Sequence, residues 1–217
     1  MTAGVQARTS KTKWHPESPL SNRRPARVIN LFRRQTPAQA SAHALFGALV
    51  AQSRLPAFYM AGEVPDTIDG RFDLLALHVS LAIRRLQRDP ALGPLGQALF
   101  EAMVDNLDHG LRKAGVGDLR VGKRVKAMVA AFYGRLKAYG DALDPAAPAD
   151  ALDFALARNL YRDARPKPET AAAMANYVRR QDRAILGLRA ADLAAGRLAM
   201  IPFPPDGGPA LVDRGSA

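Results

Sequence analysis

The sequence predicts an all-α fold, a single helical-bundle domain of about six helices. Apolar residues recur every three or four positions through several long segments, which is the period of an amphipathic helix. No segment alternates apolar and polar residues long enough to indicate a sheet, and valine, isoleucine and threonine are sparse beside alanine and leucine. A length of 217 residues fits one domain with tails.

The first two helices have recognisable start signals. Thr36 followed by Pro37 is typical of a helix N-cap with proline at the first helical position. The second helix is predicted over residues 72–88, with Asp66 or Thr67 available to cap it. Its residues are apolar nearly all round, which predicts that it is the buried central helix.

Further helices and a flexible end follow along the chain. Prolines and glycines predominate near the C-terminus, so residues 199–217 are predicted to form a flexible tail and residues 36–198 the helical domain. The remaining helices are predicted over residues 94–114, 121–143, 149–162 and 168–189, with one or two turns near 190–198.

The basic residues are concentrated in the N-terminal segment. The formal charge of the chain is +11, and residues 1–36 carry eight basic residues against one acidic residue, a net +7 that leaves +4 for the remainder. Residues 1–35 are also polar and are interrupted by Pro16, Pro19 and Pro25, so we predict a disordered basic tail. Such a tail is either a solvated arm or a segment that binds anionic lipid, RNA or a ribosome surface.

The sequence carries no pattern typical of a catalytic, cofactor or metal site. The lack of cysteine excludes disulfides, thiolate catalysis and cysteine-ligated metals. The four histidines lie far apart without HxxxH spacing, and no glycine-rich loop joins a strand to a helix. Asp105 and Asp108 lie one turn apart, as in magnesium-binding isoprenoid synthases, but a single short pair favours a solvated helix face. We therefore predict no enzyme activity, no cofactor and no metal.

The helix predicted over residues 121–143 has a basic face. This pattern is typical either of a surface that binds nucleic acid or an acidic partner, or of a solvated helix face. The preceding turn is long and glycine-rich for a helix-turn-helix, so DNA is not predicted as a partner. Six cations and one aromatic residue lie beside the apolar stripe: Arg120, Lys123, Arg124, Lys126, Arg135, Lys137 and Tyr133.

Two aromatic residues lie in a predicted loop. Pro56 ends the first helix, and Phe58 and Tyr59 follow it. Loop aromatics either fill the core or form an exposed rim that binds partners. His78, on the central helix, is interpreted as a hydrogen-bonded histidine of the core or of a groove.

Four blocks of the sequence form a distinctive set. They are QSRLPAFY at 52–59, VPDTIDGRFDLLALHVSLAIRRL at 64–86, LGQALFEAMVDNLDHGLRKAGVGDLRVGKRVKAM at 95–128 and AAFYGRLKAY at 130–139. The pairing of VPDT-x-DGRF-x-LL-x-LH with GVGDL-x-VGK-x-VK is the most distinctive feature. In order and spacing, the blocks resemble the ubiquinol–cytochrome c chaperone family, assembly factors of the cytochrome bc1 complex, over roughly residues 35–185.

This resemblance implies a non-enzymatic chaperone that binds newly made cytochrome b. It would hold cytochrome b until haems and partner subunits are added, which promotes assembly of the cytochrome bc1 complex, respiratory complex III. Mitochondrial members work with a small partner near the ribosomal exit, so we expect a small partner subunit and a contact of the basic tail with the ribosome or inner-membrane surface. The alternative hypothesis is a basic helical adaptor that binds RNA, the ribosome or anionic membranes.

The client surface is predicted where the family-like blocks carry more charge than packing requires. A recognition surface needs fixed charges and an aromatic anchor, whereas a core needs only apolar neighbours. Arg71 and Lys123 have an alternative role as structural partners of Asp66, Asp69 or Asp118. The candidate client-binding residues are Arg54, Phe58, Tyr59, Asp66, Asp69, Arg71, His78, Lys123, Arg124, Lys126 and Tyr133.

The predicted location is the periphery of a membrane. The longest apolar stretch, residues 74–83, is well short of the ~20 residues that a bilayer requires. The N-terminal segment lacks the apolar core of a secretory signal. A composition rich in alanine, arginine and glycine favours a bacterial cytoplasmic protein, and a eukaryotic member would lie in the mitochondrial matrix at the inner membrane.

Overall fold

The computed structural model describes residues 36–203 and 210–212. Within them the chain forms eight α-helices and two short strands, β1 (Leu198–Met200) and β2 (Ala210–Val212), which pair antiparallel. The predicted helical fold is confirmed, with this two-stranded ribbon as a small addition. The helices are α1 (Pro37–Ser53), α2 (Pro56–Met60), α3 (Ile68–Leu86), α4 (Gly93–Lys113), α5 (Asp118–Ala142), α6 (Ala151–Leu156), α7 (Pro168–Leu186) and α8 (Ala190–Ala194).

Helix α3 is the central helix, as its apolar sequence predicts. Every residue from 72 to 83 is buried, and the helix contacts α1, α4, α5 and α7. It begins ahead of the predicted start at residue 72 because the Thr67 hydroxyl accepts a hydrogen bond from Gly70 N (3.0 Å) and caps the first turn. Near its other end, Arg84 Nη1 donates to both carboxylate oxygens of Asp182 on α7 (2.8 and 2.7 Å). These contacts fix α3 at both ends.

Two segments differ from the predicted helices. Helix α1 ends just before Pro56, as predicted, but this proline also begins α2, since its fixed φ suits the first turn of a helix. A single α-helix is predicted over residues 149–162. The α-helical part, α6, ends at Leu156, and the backbone then forms a π-helical turn, Ala157–Tyr161. Arg162 follows with a φ of 52° and contacts α3, a tertiary interaction that sequence spacing does not indicate.

The packed domain extends beyond the predicted boundary at residue 198. A flexible tail is predicted from residue 199, but Ile201 and Phe203 are buried (2% and 5% exposed). The Gln52 side-chain amide donates to Ile201 O (2.6 Å), so this stretch of backbone is hydrogen-bonded to α1. The prolines nearby mark turns, whereas the apolar residues between them supply buried surface that holds the segment in place.

The predicted basic tail, residues 1–35, lies outside the described residues, as do residues 204–209 and 213–217. Its proposed contact with a ribosome or membrane therefore rests on charge alone. In the part of the chain that the structure describes, no helix has the length and hydropathy needed to cross a bilayer.

Leu77→Ala should lower the free energy of unfolding by about 2–5 kcal/mol, because Leu77 on α3 is fully buried (0% exposed). The matched change Leu119→Ala should stay within about 0.5 kcal/mol of wild type, since Leu119 on α5 is 98% exposed. Chemical denaturation measures both. An equal loss of unfolding free energy in the two variants would show that α3 is not the core helix.

Candidate functional site

The segment that leads into α3 is held in one conformation by close packing. A Cβ atom at residue 70 would lie 2.0 Å from Pro65 O, so only glycine fits at Gly70. Glu63 has a φ of 53°, and its carboxylate accepts a hydrogen bond from Lys167 N (2.9 Å). The residues before α3 are therefore fixed relative to the core.

Charged side chains gather around the first turn of α3. Arg71 Nε lies 2.5 Å from Asp66 Oδ1, and this hydrogen bond lowers the pKa of Asp66. The Arg71 guanidinium also lies 6.0 Å from the centre of the Tyr59 ring. Arg124 of α5 lies 3.7 Å from an Asp69 carboxylate oxygen, which joins α5 to the same group.

Two exposed apolar side chains border these charges. Met60 ends α2 and is 81% exposed, and Ile68 begins α3 and is 62% exposed. Met60 follows Tyr59 directly and Ile68 precedes Asp69 directly, so both lie next to the charged group. We call this set the α3-entry surface: Tyr59, Met60, Asp66, Ile68, Asp69, Arg71 and Arg124.

The other predicted client-binding residues fall into two groups. Arg54 is exposed directly after α1 and lies beside the α3-entry surface, since burial raises the pKa of Tyr59 and the Arg54 charge is among those that oppose this rise. Lys123 and Lys126 are exposed on α5, and Tyr133 is half-buried, with its ring centre 5.4 Å from that of Phe100. Within residues 36–203, no ion pair or ring contact links these three residues to the α3-entry surface.

The ion pairing that the structural alternative expects occurs for one of the two residues considered. Arg71 pairs with Asp66, as that alternative expects. Lys123 has no such partner, because Asp118 pairs with Arg112 instead.

Phe58 and His78 cannot contact a client, because both are fully buried (0% exposed). The Phe58 ring stacks on Phe203 (4.9 Å between centres) and meets Tyr177 edge-on (5.1 Å). Their place among the client-binding residues is wrong, and the alternatives in which both belong to the core are right. The physical reason is the short helix α2, which turns Phe58 inward while Tyr59 stays half-buried at the surface.

His78 is part of a buried hydrogen-bond chain. Burial lowers the pKa of His78 to about 4, so the imidazole is neutral at pH 7. Nδ1 lies 2.8 Å from Leu74 O, and Nε2 lies 2.7 Å from the Tyr177 hydroxyl. The neutral ring therefore donates from Nδ1 and accepts at Nε2 from Tyr177, whose oxygen accepts in turn from Gln52 Nε2 (3.0 Å).

A buried ion cluster lies one turn along α3 from Asp69. Asp73 is fully buried, with Arg135 Nη2 2.6 Å from Oδ1 and Arg162 Nε 2.6 Å from Oδ2. Burial raises the pKa of Asp73, and the two guanidiniums oppose that rise. In the sequence, the only sign of this cluster is an aspartate inside an otherwise apolar helix. The prediction that Arg135 belongs to the basic face of α5 is wrong, because Arg135 is buried as a counter-charge to Asp73.

A cavity of about 430 Å³ opens beside this ion cluster. Asp69, Asp73 and Arg162 line it, together with Thr67 and the backbone that precedes α3. Arg162 Nη1 also lies 3.8 Å from Asp69, so one arginine contacts both carboxylates of α3. Solvent therefore reaches one side of the cluster, in keeping with the 40% exposure of the Arg162 side chain.

One residue of the acidic pair on α4, Asp108, forms a surface ion pair. Asp108 lies 2.7 Å from Arg112 Nε, and this hydrogen bond lowers the pKa of Asp108. Within residues 36–203, no three histidine or carboxylate side chains converge as metal ligands do.

Comparison with known proteins decides the family. The family model described as ubiquinol–cytochrome C chaperone matches residues 61–200, well over half of the chain. The chain belongs to this family. The crystal structure of the Cbp3 homolog from Brucella abortus is also similar, with a TM-score of 0.67 and 35% sequence identity over 76% of this chain and 91% of that chain. The search of curated proteins gives no match.

Family membership confirms the resemblance that the four sequence blocks indicate. The protein is accordingly a chaperone for assembly of the ubiquinol–cytochrome c complex. The matched residues 61–200 contain the charged pairs of the α3-entry surface and the buried Asp73 cluster. The alternative hypothesis, a basic adaptor for RNA or anionic surfaces, gains no support from either match.

Asp73→Asn should destabilise the protein by about 3–5 kcal/mol, because it leaves two guanidiniums without a counter-charge. Arg162→Met should lower the free energy of unfolding by less, since Asp73 then keeps its ion pair with Arg135 (2.6 Å). Chemical denaturation at neutral pH gives the order of the two variants. The reverse order would show that Arg162 is the partner that keeps Asp73 buried.

The neutral state of His78 predicts a fold that weakens in acid. Its pKa is about 4 in the folded protein and 6.5 ordinarily, so the unfolded state binds the extra proton between these values. The corresponding stability is present above pH 6.5 and is lost as the pH falls towards 4, a loss of about 3 kcal/mol. The free energy of unfolding, measured from pH 7 down to pH 4, tests this prediction.

His78→Gln should remove that part of the pH dependence, and His109→Gln, at an exposed position, should keep it. The same pH profile for wild type and His78→Gln would mean that His78 does not titrate in this way.

Proposed function

We propose that the protein binds newly made cytochrome b at the α3-entry surface and holds it for assembly into the cytochrome bc1 complex. Family membership supports the general role of an assembly chaperone. The observation that carries the finer proposal is the meeting of exposed apolar side chains with exposed ion pairs at one rigid helix end. Met60 and Ile68 supply the apolar part at 81% and 62% exposure.

The apolar part of the surface suits a membrane subunit before insertion into its complex. Such a client presents apolar segments joined by charged loops. A flexible methionine adapts to apolar partners of different shape, and Ile68 adds a stiffer side chain. Both residues lie in ordered helices, so binding costs little conformational entropy on the chaperone side.

The ion pairs of the surface suit reversible binding. In the Arg71–Asp66 and Arg124–Asp69 pairs every side chain is about half exposed or more (65%/55% and 49%/55%), so these pairs contribute little to folding stability. Each pair can exchange its partner for a charge on the client while the fold stays intact. Charges at an interface select the partner and its orientation more than they raise affinity, which fits a chaperone that must release its client.

The proposed role requires binding and release but no chemical step. The helical domain has to present a stable surface, and the capped start of α3 with the Asp73 cluster one turn further on provides one. This is the non-enzymatic role that the family membership supports.

Met60→Asp/Ile68→Asp should reduce capture of newly made cytochrome b at least about tenfold, since each change removes an apolar contact of roughly 1.5–3 kcal/mol. Phe154→Asp is the matched control, because Phe154 on α6 is 70% exposed and lies outside the surface. Co-purification of cytochrome b with the tagged protein measures capture. In cells that lack the gene, wild type and the control should restore assembled cytochrome bc1 complex, whereas the double variant should not.

Circular dichroism and the melting temperature establish first that each variant folds. A folded double variant that captures cytochrome b like wild type would place the client elsewhere. Normal cytochrome bc1 levels without the gene would refute the client assignment itself.

A further inference from the structure

The turn between α4 and α5 presents an exposed leucine among cations. Leu119, in the first turn of α5, is 98% exposed. Residues 108–126 carry six basic and two acidic residues, so +4 of the +11 formal charge lies here. We call the exposed set the basic tip: Lys113, Leu119, Arg120, Lys123 and Lys126.

The carboxylates closest in sequence to the basic tip pair with Arg112, which is not part of the tip. Asp108 and Asp118 both form ion pairs with Arg112, and Asp69 forms one with Arg124. Among the residues that the structure describes, no carboxylate forms an ion pair with the four cations of the tip. No acidic residue occurs in the sequence between Leu119 and Asp141. Four cations therefore face solvent together.

The spacing on α5 places the leucine and two lysines on one side. Leu119, Lys123 and Lys126 are separated by four and three residues, so they share the outward face of the helix. Ala127 and Ala130 continue this face and are also exposed, so only small side chains follow the two lysines. The face thus combines one apolar side chain, long cationic side chains and no bulky polar group.

The basic tip stands on an ordered part of the fold. The Arg112 guanidinium bridges Asp108 on α4 and Asp118 on α5 across the turn. Leu111 and Val121 are buried near the turn but are not part of the main core cluster. The tip is therefore held in shape by its own local contacts.

We propose that the basic tip docks on an anionic lipid bilayer, with Leu119 in the headgroup layer and the lysine and arginine side chains at lipid phosphates. A bilayer requires only shallow apolar insertion together with positive charge, and each cation near the surface adds to the attraction. A stable protein interface needs a larger complementary area than one leucine offers. Single-stranded RNA is bound by stacking on exposed aromatic rings, and the outward face of α5 carries none.

This docking would bring the α3-entry surface to the membrane. Arg124, between Lys123 and Lys126 in sequence, pairs with Asp69 of that surface. A client that enters the bilayer would then meet the chaperone at the lipid boundary. The proposal does not depend on which membrane protein is the client.

Vesicle binding of full-length protein tests the charge part of the proposal. Lys123→Glu/Lys126→Glu should weaken binding to vesicles of phosphatidylcholine with phosphatidylglycerol at least about tenfold. Arg158→Glu/Arg183→Glu is the matched control, with the same change of net charge at two exposed arginines elsewhere, and should bind nearly as wild type does. Equal weakening in both would overturn the proposal, because it would show that net charge alone governs binding.

Tryptophan fluorescence tests whether the apolar residue of the basic tip enters the headgroup layer. This experiment leaves the charges of the tip unchanged. The chain has one tryptophan, so Trp14→Phe/Leu119→Trp places the sole indole at the tip. Its emission should shift to the blue with anionic vesicles and stay unchanged with vesicles of phosphatidylcholine alone. An unchanged emission with anionic vesicles would overturn the proposal. So would a Lys123→Glu/Lys126→Glu protein that loses RNA binding but keeps vesicle binding.

Discussion

The buried carboxylate of Asp73 is the constraint around which this helical domain is arranged. A carboxylate with no exposed surface requires compensation, and Arg135 and Arg162 both approach it to 2.6 Å. One arginine comes from the middle of α5, and the other follows a π-helical turn after α6. The ion cluster therefore ties two separate segments to the first half of α3, next to the turn that carries the α3-entry surface.

The domain separates polar groups that hold the fold from polar groups that are free to bind. Inside, His78 and Tyr177 form a hydrogen-bond chain with Gln52 of α1, and the Gln181 side chain donates to Ala199 O (2.6 Å) and so holds β1 against α7. Outside, pairs such as Arg71–Asp66 are exposed and exchange partners at little cost. A chaperone needs both properties, because its own fold must stay unchanged while its surface accepts and releases another protein.

Signals local in sequence predict much of this structure, and contacts between distant segments account for what they miss. Thr36 as a cap and the all-round apolar character of α3 follow from neighbouring residues alone. The inward turn of Phe58 depends on Phe203, far along the chain, so the sequence leaves its core and surface roles open. The pairing of Arg162 with Asp73 depends on a π-helical turn that has no recognised sequence pattern. The charged residues of the α3-entry surface were predicted from the sequence. Its exposed apolar residues could be identified only from their exposure in the folded structure.

The central claim is that cytochrome b lies against the start of α3 while it is bound. Site-specific photocrosslinking measures this directly, with a photoreactive amino acid placed at Ile68 or, as the control, at the similarly exposed Phe154 (62% and 70%). The account predicts a crosslink to newly made cytochrome b from position 68 and none from position 154. Crosslinking from position 154 alone, or from neither position in a protein that still co-purifies with cytochrome b, would contradict it.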